Sequence, residues 1–246
     1  MKELFEKAGI YLSDEQCNKF RQYHHKIEEW NKHTNLTTIT EWHEVKLKHF
    51  FDSIVPAKYY ITIPTKEGKE SNTENREKTK GIDIGTGAGF PGIPLAIVFP
   101  EIDILLLDAL EKRTRFLAEV KSTLDLKNIE VIHGRAEDLG RDLRYREKFD
   151  FAVSRAVAKL SVLGEYGIPF LKIGGKFVAY KGKDIEDEMR QAVNVFSILG
   201  AERTEKYDFT LTGTDLKRSL IIAQKTKHTE DKFPRKAGKP TKKPLE

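Results

Sequence analysis

The 246-residue chain holds a single cysteine, Cys17. One thiol forms no intramolecular disulfide and supplies no cysteine-based zinc cluster. No apolar run approaches the ~20 residues that a membrane span needs, and residues 1–10 lack the apolar core of a signal peptide. These absences predict a cytoplasmic chain that binds neither a metal nor a membrane. An excess of one charge is also missing over most of the length. The net charge is +5, and residues 225–246 account for all of it, with eight Lys or Arg against three Asp or Glu. A basic terminus on an otherwise balanced chain suits a polyanionic partner, although basic tails that only aid solubility are about as common.

What is present is an alternation of apolar runs and turns. Residues 1–63 form a helical region. Ser13 and Gln16 make a capping-box pattern, and Cys17, Phe20, His24, Ile27 and Trp30 follow at helical spacing as a packing stripe. A further helix is expected over residues 41–60, interrupted near Pro56. Residues 64–80 are almost wholly polar and read as a linker. From residue 81 strands are expected near 81–85, 103–108, 129–133, 149–153 and 175–180, with helices near 91–99, 112–124, 156–170 and 185–199. Residues 207–211 and 219–224 flank a Thr-Gly-Thr-Asp turn and read as a β-hairpin. The expected architecture is α/β, a doubly wound, mostly parallel sheet over 81–225 that ends in an antiparallel hairpin. It carries a helical region in front and a basic tail, 226–246, behind. That is the class I S-adenosylmethionine-dependent methyltransferase fold.

The most informative segment is 81–92, Gly-Ile-Asp-Ile-Gly-Thr-Gly-Ala-Gly-Phe-Pro-Gly. An apolar run with an acid reads as a buried strand. Gly85, Gly87 and Gly89 then make a turn tight enough to bring backbone N–H groups against a ligand, and Pro91 suits a helix start. Asp108 closes the next apolar run, 19 residues after Gly89, where a carboxylate accepts from ribose hydroxyls. Residues 87–92 also satisfy G-x-G-x-x-G, which by itself does not separate a dinucleotide from S-adenosylmethionine. Three features favour the latter. Asp83 is placed to face a methionine ammonium and would repel a pyrophosphate. The acid-bearing loop Gly134-Arg135-Ala136-Glu137-Asp138 suits an adenine edge. The terminal hairpin is the third.

Absences narrow the acceptor. An exocyclic amine is commonly handled by Asn/Asp-Pro-Pro-Tyr/Phe after the fourth strand, where this chain has Val153-Ser154-Arg155-Ala156. Methylation of a pyrimidine C5 needs a thiolate, and Cys17 lies on an N-terminal helix. Ribose methylation stays open. Guanine N7 asks for least, because its lone pair is unprotonated and positioning alone supplies most of the acceleration.

Segment 83–95, Gly134-Arg135-Ala136-Glu137, Ser154-Arg155-Ala156 and the closing Phe233-Pro234-Arg235-Lys236-Ala237-Gly238-Lys239-Pro240 closely resemble the RsmG (GidB) family, as do Asn35-Leu36-Thr37 and residues 49–53. The resemblance covers nearly the whole chain, and 65–80 looks longer than the family needs. It implies a bacterial methyltransferase acting on a guanine N7 of 16S ribosomal RNA, with the small subunit or its precursor as partner and a monomer expected. It implies cofactor contacts at Gly85 and Phe90, around Asp108, and at Ala136, Glu137 and Arg155.

A cation beside a sulfonium or beside N7-methylguanine opposes the reaction, so Arg155 is expected to hold the cofactor carboxylate, a phosphate or guanine O6. Its alternative is a structural ion pair. Arg135 is a second positioning candidate. Lys181 is a candidate phosphate contact, and His49 and Asp52 lie one helical turn apart where they could border the site. Arg235, Lys236, Lys239, Lys242 and Lys243 suit an extended strap over RNA phosphates. Truncation after Gln224 is therefore expected to weaken RNA association and leave cofactor affinity nearly intact. A NAD-dependent oxidoreductase and a non-catalytic ribosome-assembly RNA-binding factor are the competing readings.

Overall fold

The computed structural model describes residues 1–61, 78–155 and 158–246; most of the expected linker, 64–77, and Ala156 lie outside them. Seven strands form one sheet: β1 (Lys80–Ile84), β2 (Asp103–Asp108), β3 (Ile129–His133), β4 (Phe149–Ser154), β5 (Leu171–Lys181), β6 (Ala201–Thr210) and β7 (Lys217–Lys225). Their order is β3-β2-β1-β4-β5-β7-β6. The first five run parallel, while β7 is antiparallel to both β5 and β6. This is the expected methyltransferase sheet. Its order reverses between β1 and β4, and ligands of such sheets bind outside the carboxyl ends of the strands at that point.

Alternation along each central strand sends side chains to two cores. Ile104, Leu106, Phe151 and Val153 face one side, which is covered by α1 (Lys2–Glu6), α2 (Asp14–Asn31), α5 (Gly92–Val98) and α6 (Glu111–Thr123). Ile82, Ile84, Leu105 and Leu107 face the other side with α8 (Leu160–Gly167), α9 (Glu186–Leu199) and Phe233 of the tail. The N-terminal helices are thus part of the first core. Ser13 and Gln16 cap α2 reciprocally, and Gln16 Nε2 also donates to the Ile97 carbonyl at 3.0 Å, which ties α2 to α5.

The helical stretch expected at 41–60 is built from α3 (Trp42–Val45), a π-helical segment (Lys46–Phe51), α4 (Asp52–Ile54) and a 3₁₀ segment (Val55–Tyr59) that begins just before Pro56. β5 is longer than expected, and both hairpin strands extend beyond their apolar runs. Two short helices replace expected loop and strap: α7 (Ala136–Leu139) and α10 (Lys239–Lys242). In α10, Pro240 occupies the first turn, where its missing N–H costs nothing. No helix among the described residues is long and apolar enough to cross a membrane.

Candidate active site

The glycine turn joins β1 to α5 and is held from three directions. From below, Asp83 Oδ2 accepts from Thr86 Oγ1 at 2.6 Å and from the Gly92 N–H at 2.8 Å. From the N-terminal helices, the Tyr23 hydroxyl donates to the Ala88 carbonyl. From β2, Asp108 Oδ2 accepts the Gly87 N–H at 2.9 Å. Gly85 has φ +66°, and a Cβ there would meet no atom within 4 Å, so the turn presents bare backbone to open space. At Gly89, by contrast, a Cβ would strike the Tyr23 hydroxyl and Ile93 at 2.6 Å. Gly85 serves the cleft and Gly89 serves packing.

A cleft of about 190 Å³ opens above this turn, lined by Gly85, Asp108, Arg135, Ala136 and Glu137 among others. Asp108 is well placed in it. Oδ1 accepts the Leu110 N–H and Oδ2 the Gly87 N–H, both at 2.9 Å, and Arg113 reaches Oδ2 only at 3.4 Å. A carboxylate has about four lone-pair sites, so Oδ1 keeps one for a hydroxyl and Oδ2 a second in place of the long Arg113 bond. Arg135 is exposed at the rim, and Ala136 and Glu137 are buried in the first turn of α7. Asp83 and Phe90 are not at this cleft. Asp83 is fully buried beneath the turn, where burial pushes its carboxyl up to about 6, and Oδ1 has no hydrogen-bond partner among the described residues. The expectation that Asp83 faces a ligand ammonium is corrected: the acid holds the turn in shape. Phe90 packs against Tyr23, Phe50 and, at 4.4 Å between ring centroids, His49.

A second pocket, about 340 Å³, lies across the reversal point and is lined by Asp52, Arg155, Tyr180, Lys181, Phe209 and Arg218 among others. The ends of β1 and β4 are joined here, Ser154 Oγ donating to the Ile84 carbonyl at 2.9 Å. Arg155 extends from the end of β4 over the Phe90 ring, 4.9 Å from its centroid. It donates to His49 Nδ1 at 3.2 Å and to the Lys48 carbonyl at 3.3 Å, and stands 3.7 Å from Asp52. A guanidinium only donates, so His49 Nδ1 accepts and its proton sits on Nε2, bonded to Thr37 Oγ1 at 3.0 Å. Burial first, then the Arg155 charge, depresses the imidazole to about 3, so it is neutral. Arg218 Nε meets both Asp52 oxygens at 3.0 and 3.1 Å. Burial pushes the Asp52 carboxyl up, and the two guanidiniums oppose it.

Arg155 is thus ion-paired, as its structural alternative required, and it also lines a pocket. His49 and Asp52 belong to this site as its supports. Sequence reading missed Arg218, which joins only because β7 returns antiparallel beside β5; nothing in its local pattern marks it. Lys181 is a correction. Its ammonium bonds Glu188 at 2.8 Å and the Ala158 carbonyl at 2.7 Å, which occupies it structurally. Arg235 is another. It bonds the fully buried Glu165 at 2.6–3.1 Å and is not offered to phosphates. Lys236, Lys239, Lys242 and Lys243 are exposed, as an RNA contact requires. The largest of these cavities, about 910 Å³, opens at the amino ends of the strands beside Lys80 and Asp103, away from the glycine turn.

Residues 16–214 match the family described as GidB, rRNA small subunit methyltransferase G. The chain belongs to this family. It is 46% identical over 243 residues to the ribosomal RNA small subunit methyltransferase G of Leuconostoc mesenteroides, covering 99% of this chain and 97% of that one. It is 47% identical over 237 residues to the protein of the same name from Acetivibrio thermocellus, covering 96% and 92%. Among solved structures it resembles Aeropyrum pernix fibrillarin in complex with S-adenosylmethionine, at 17% identity and TM-score 0.48, over 60% of this chain and 67% of that one.

Proposed function

We propose that the chain transfers a methyl group from S-adenosylmethionine to N7 of a guanine in 16S ribosomal RNA, by in-line displacement and without a general base. Family membership supports the small-subunit rRNA methyltransferase activity. The observation that carries the rest is the pairing of two unlike pockets at the point where the strand order reverses. The cleft with Gly85 and Asp108 fits a nucleoside: bare backbone on one side, a carboxylate with free lone pairs on another, and buried Ala136 and Glu137 for a base edge. When bound there, S-adenosylmethionine supplies an electrophilic methyl on a sulfonium.

The second pocket receives the acceptor. Its candidate proton acceptors are already engaged: His49 through both ring nitrogens, and Asp52 through Arg218. An acceptor that must lose a proton is poorly served by such a site, while an unprotonated ring nitrogen needs only placement. The Asp52 carboxylate, set 3.7 Å from Arg155, offsets the positive charge that would otherwise oppose a purine becoming cationic. Arg155 and Arg218 remain able to donate to guanine O6 or to a phosphate. The chain acts in this reading as a cytoplasmic monomer on the small subunit or its precursor.

The test is incubation with tritiated S-adenosylmethionine and small subunits that lack the modification. Label should enter the 16S RNA, at a guanine where chemical cleavage specific for N7-methylguanine stops reverse transcription. RNA binding without label transfer would favour an assembly factor, and saturable NADH binding in place of S-adenosylhomocysteine would favour an oxidoreductase.

A further inference from the structure

The basic C-terminal segment was expected to be a strap held out for RNA. It is instead built into the protein. Phe233 is 5% exposed and packs in the core shared by α8 and α9. The Arg235 side chain bonds Glu165, which is itself fully buried, while its backbone N–H bonds the same carboxylate at 2.8 Å. Arg141 and Arg146 clasp the carbonyls of Pro234 and Phe233 at 2.7 and 2.8 Å. These bonds fix where the chain goes next, and it goes to the nucleoside cleft. The Gly238 N–H donates to Glu137 Oε1 at 2.8 Å, and Thr241 Oγ1 pairs with the Tyr166 hydroxyl at 2.9 Å. Gly238, Thr241 and Tyr166 line the same cleft as Gly85 and Asp108.

From this geometry we infer that residues 238–241 are a wall of the cofactor pocket, closing it over the adenosine and orienting the Glu137 carboxylate. The inference rests on the cofactor reading above and adds to it the third side of the pocket. Glu137 supplies an acceptor for an exocyclic amine only if one oxygen is turned to the cleft. The Gly238 N–H engages Oε1 and the Tyr166 hydroxyl also bonds this carboxylate, which with about four lone-pair sites keeps acceptor capacity for the cleft. Gly238 takes φ +77°, a conformation that suits glycine, and a Cβ there would meet no atom within 4 Å. The exposed Lys239 and Lys242 then sit on the outer surface of the wall, so RNA binding and cofactor retention share one segment.

Two measurements test this. A chain ending at Ala237 keeps Phe233 and Arg235 and should remain folded. Its affinity for S-adenosylhomocysteine should fall by at least about tenfold, the equivalent of one missing hydrogen bond. Affinity within twofold of the full chain, with the melting transition intact, would overturn the inference. If the shortened chain does not fold, hydrogen exchange on the full chain decides. S-adenosylhomocysteine should slow exchange at residues 238–242 as well as at 85–89. Protection at 85–89 with no change in the tail refutes the wall and leaves the cofactor reading standing. Protection of neither segment refutes the cofactor reading and the wall with it.

Discussion

The two pockets on either side of the β1–β4 reversal are built from different materials. The cleft proposed for the nucleoside is shaped by turns: the Gly85 turn, the first turn of α7 and Gly238, with Asp108 locked by two amide donors. The acceptor pocket is made of charged side chains that hold one another, Arg218 on Asp52 and Arg155 between Asp52 and His49. Groups fixed by neighbouring turns need no reorganisation when a ligand binds, which suits a cofactor that is the same in every turnover. A network of paired charges keeps N–H groups available, which in the proposed reading suits a base that must be positioned and not deprotonated.

The contrast can be broken most severely at Asp108. Asp108→Ala removes both proposed ribose acceptors and the anchor of Gly87, and affinity for S-adenosylhomocysteine should fall by more than about 100-fold in calorimetric titration. Retained affinity would mean that the nucleoside lies elsewhere. Next in size is Arg218→Ala in the other pocket. It leaves the buried Asp52 with the more distant Arg155 alone, so stability should drop by about 2–3 kcal/mol in urea unfolding. Methyl transfer should be abolished in that variant, while cofactor affinity stays within about threefold if the pockets are energetically separate.

The His49 imidazole offers an effect with a defined sign that develops only on acidification. Its folded value of about 3 lies below the ordinary 6.5, so between these values the unfolded chain binds more protons and stability rises with pH. Acidification from pH 6.5 toward 3 therefore destabilises the protein through this group, and His49→Gln should flatten that limb of the unfolding midpoint. Asp83 works in the opposite sense between 3.8 and about 6, because its raised carboxyl favours the folded state as pH falls. The difference between protein and variant is accordingly the quantity to follow. The smallest effect belongs to the exposed tail lysines. Lys236→Gln with Lys243→Gln should weaken association with small subunits a few-fold and make the salt slope shallower by about 0.7–0.9 for each phosphate no longer neutralised.

Local order was readable wherever neighbours in sequence are neighbours in space. The capping box of α2, the β1 turn with its three glycines, Asp108 at the end of β2 and the hairpin all depend on residues within a few positions of one another. The buried side of the glycine turn was not readable for a related reason. A motif gives the order of residues along a turn but not which side of it becomes buried, and here α2 and the π-helical segment cover the side where Asp83 and Phe90 point.

By itself the amino-acid sequence determined the doubly wound sheet, the glycine turn with its acid partner and the family to which the chain belongs, because periodicity and turn chemistry are short-range. Only the tertiary structure decided that Arg218 meets Asp52 across 166 positions, that Lys181 and Arg235 are consumed by Glu188 and Glu165, and that the basic tail folds back onto Glu137. Charged side chains look alike in sequence whether they face water or each other. Their partners are set by which strands and helices the packed cores bring together.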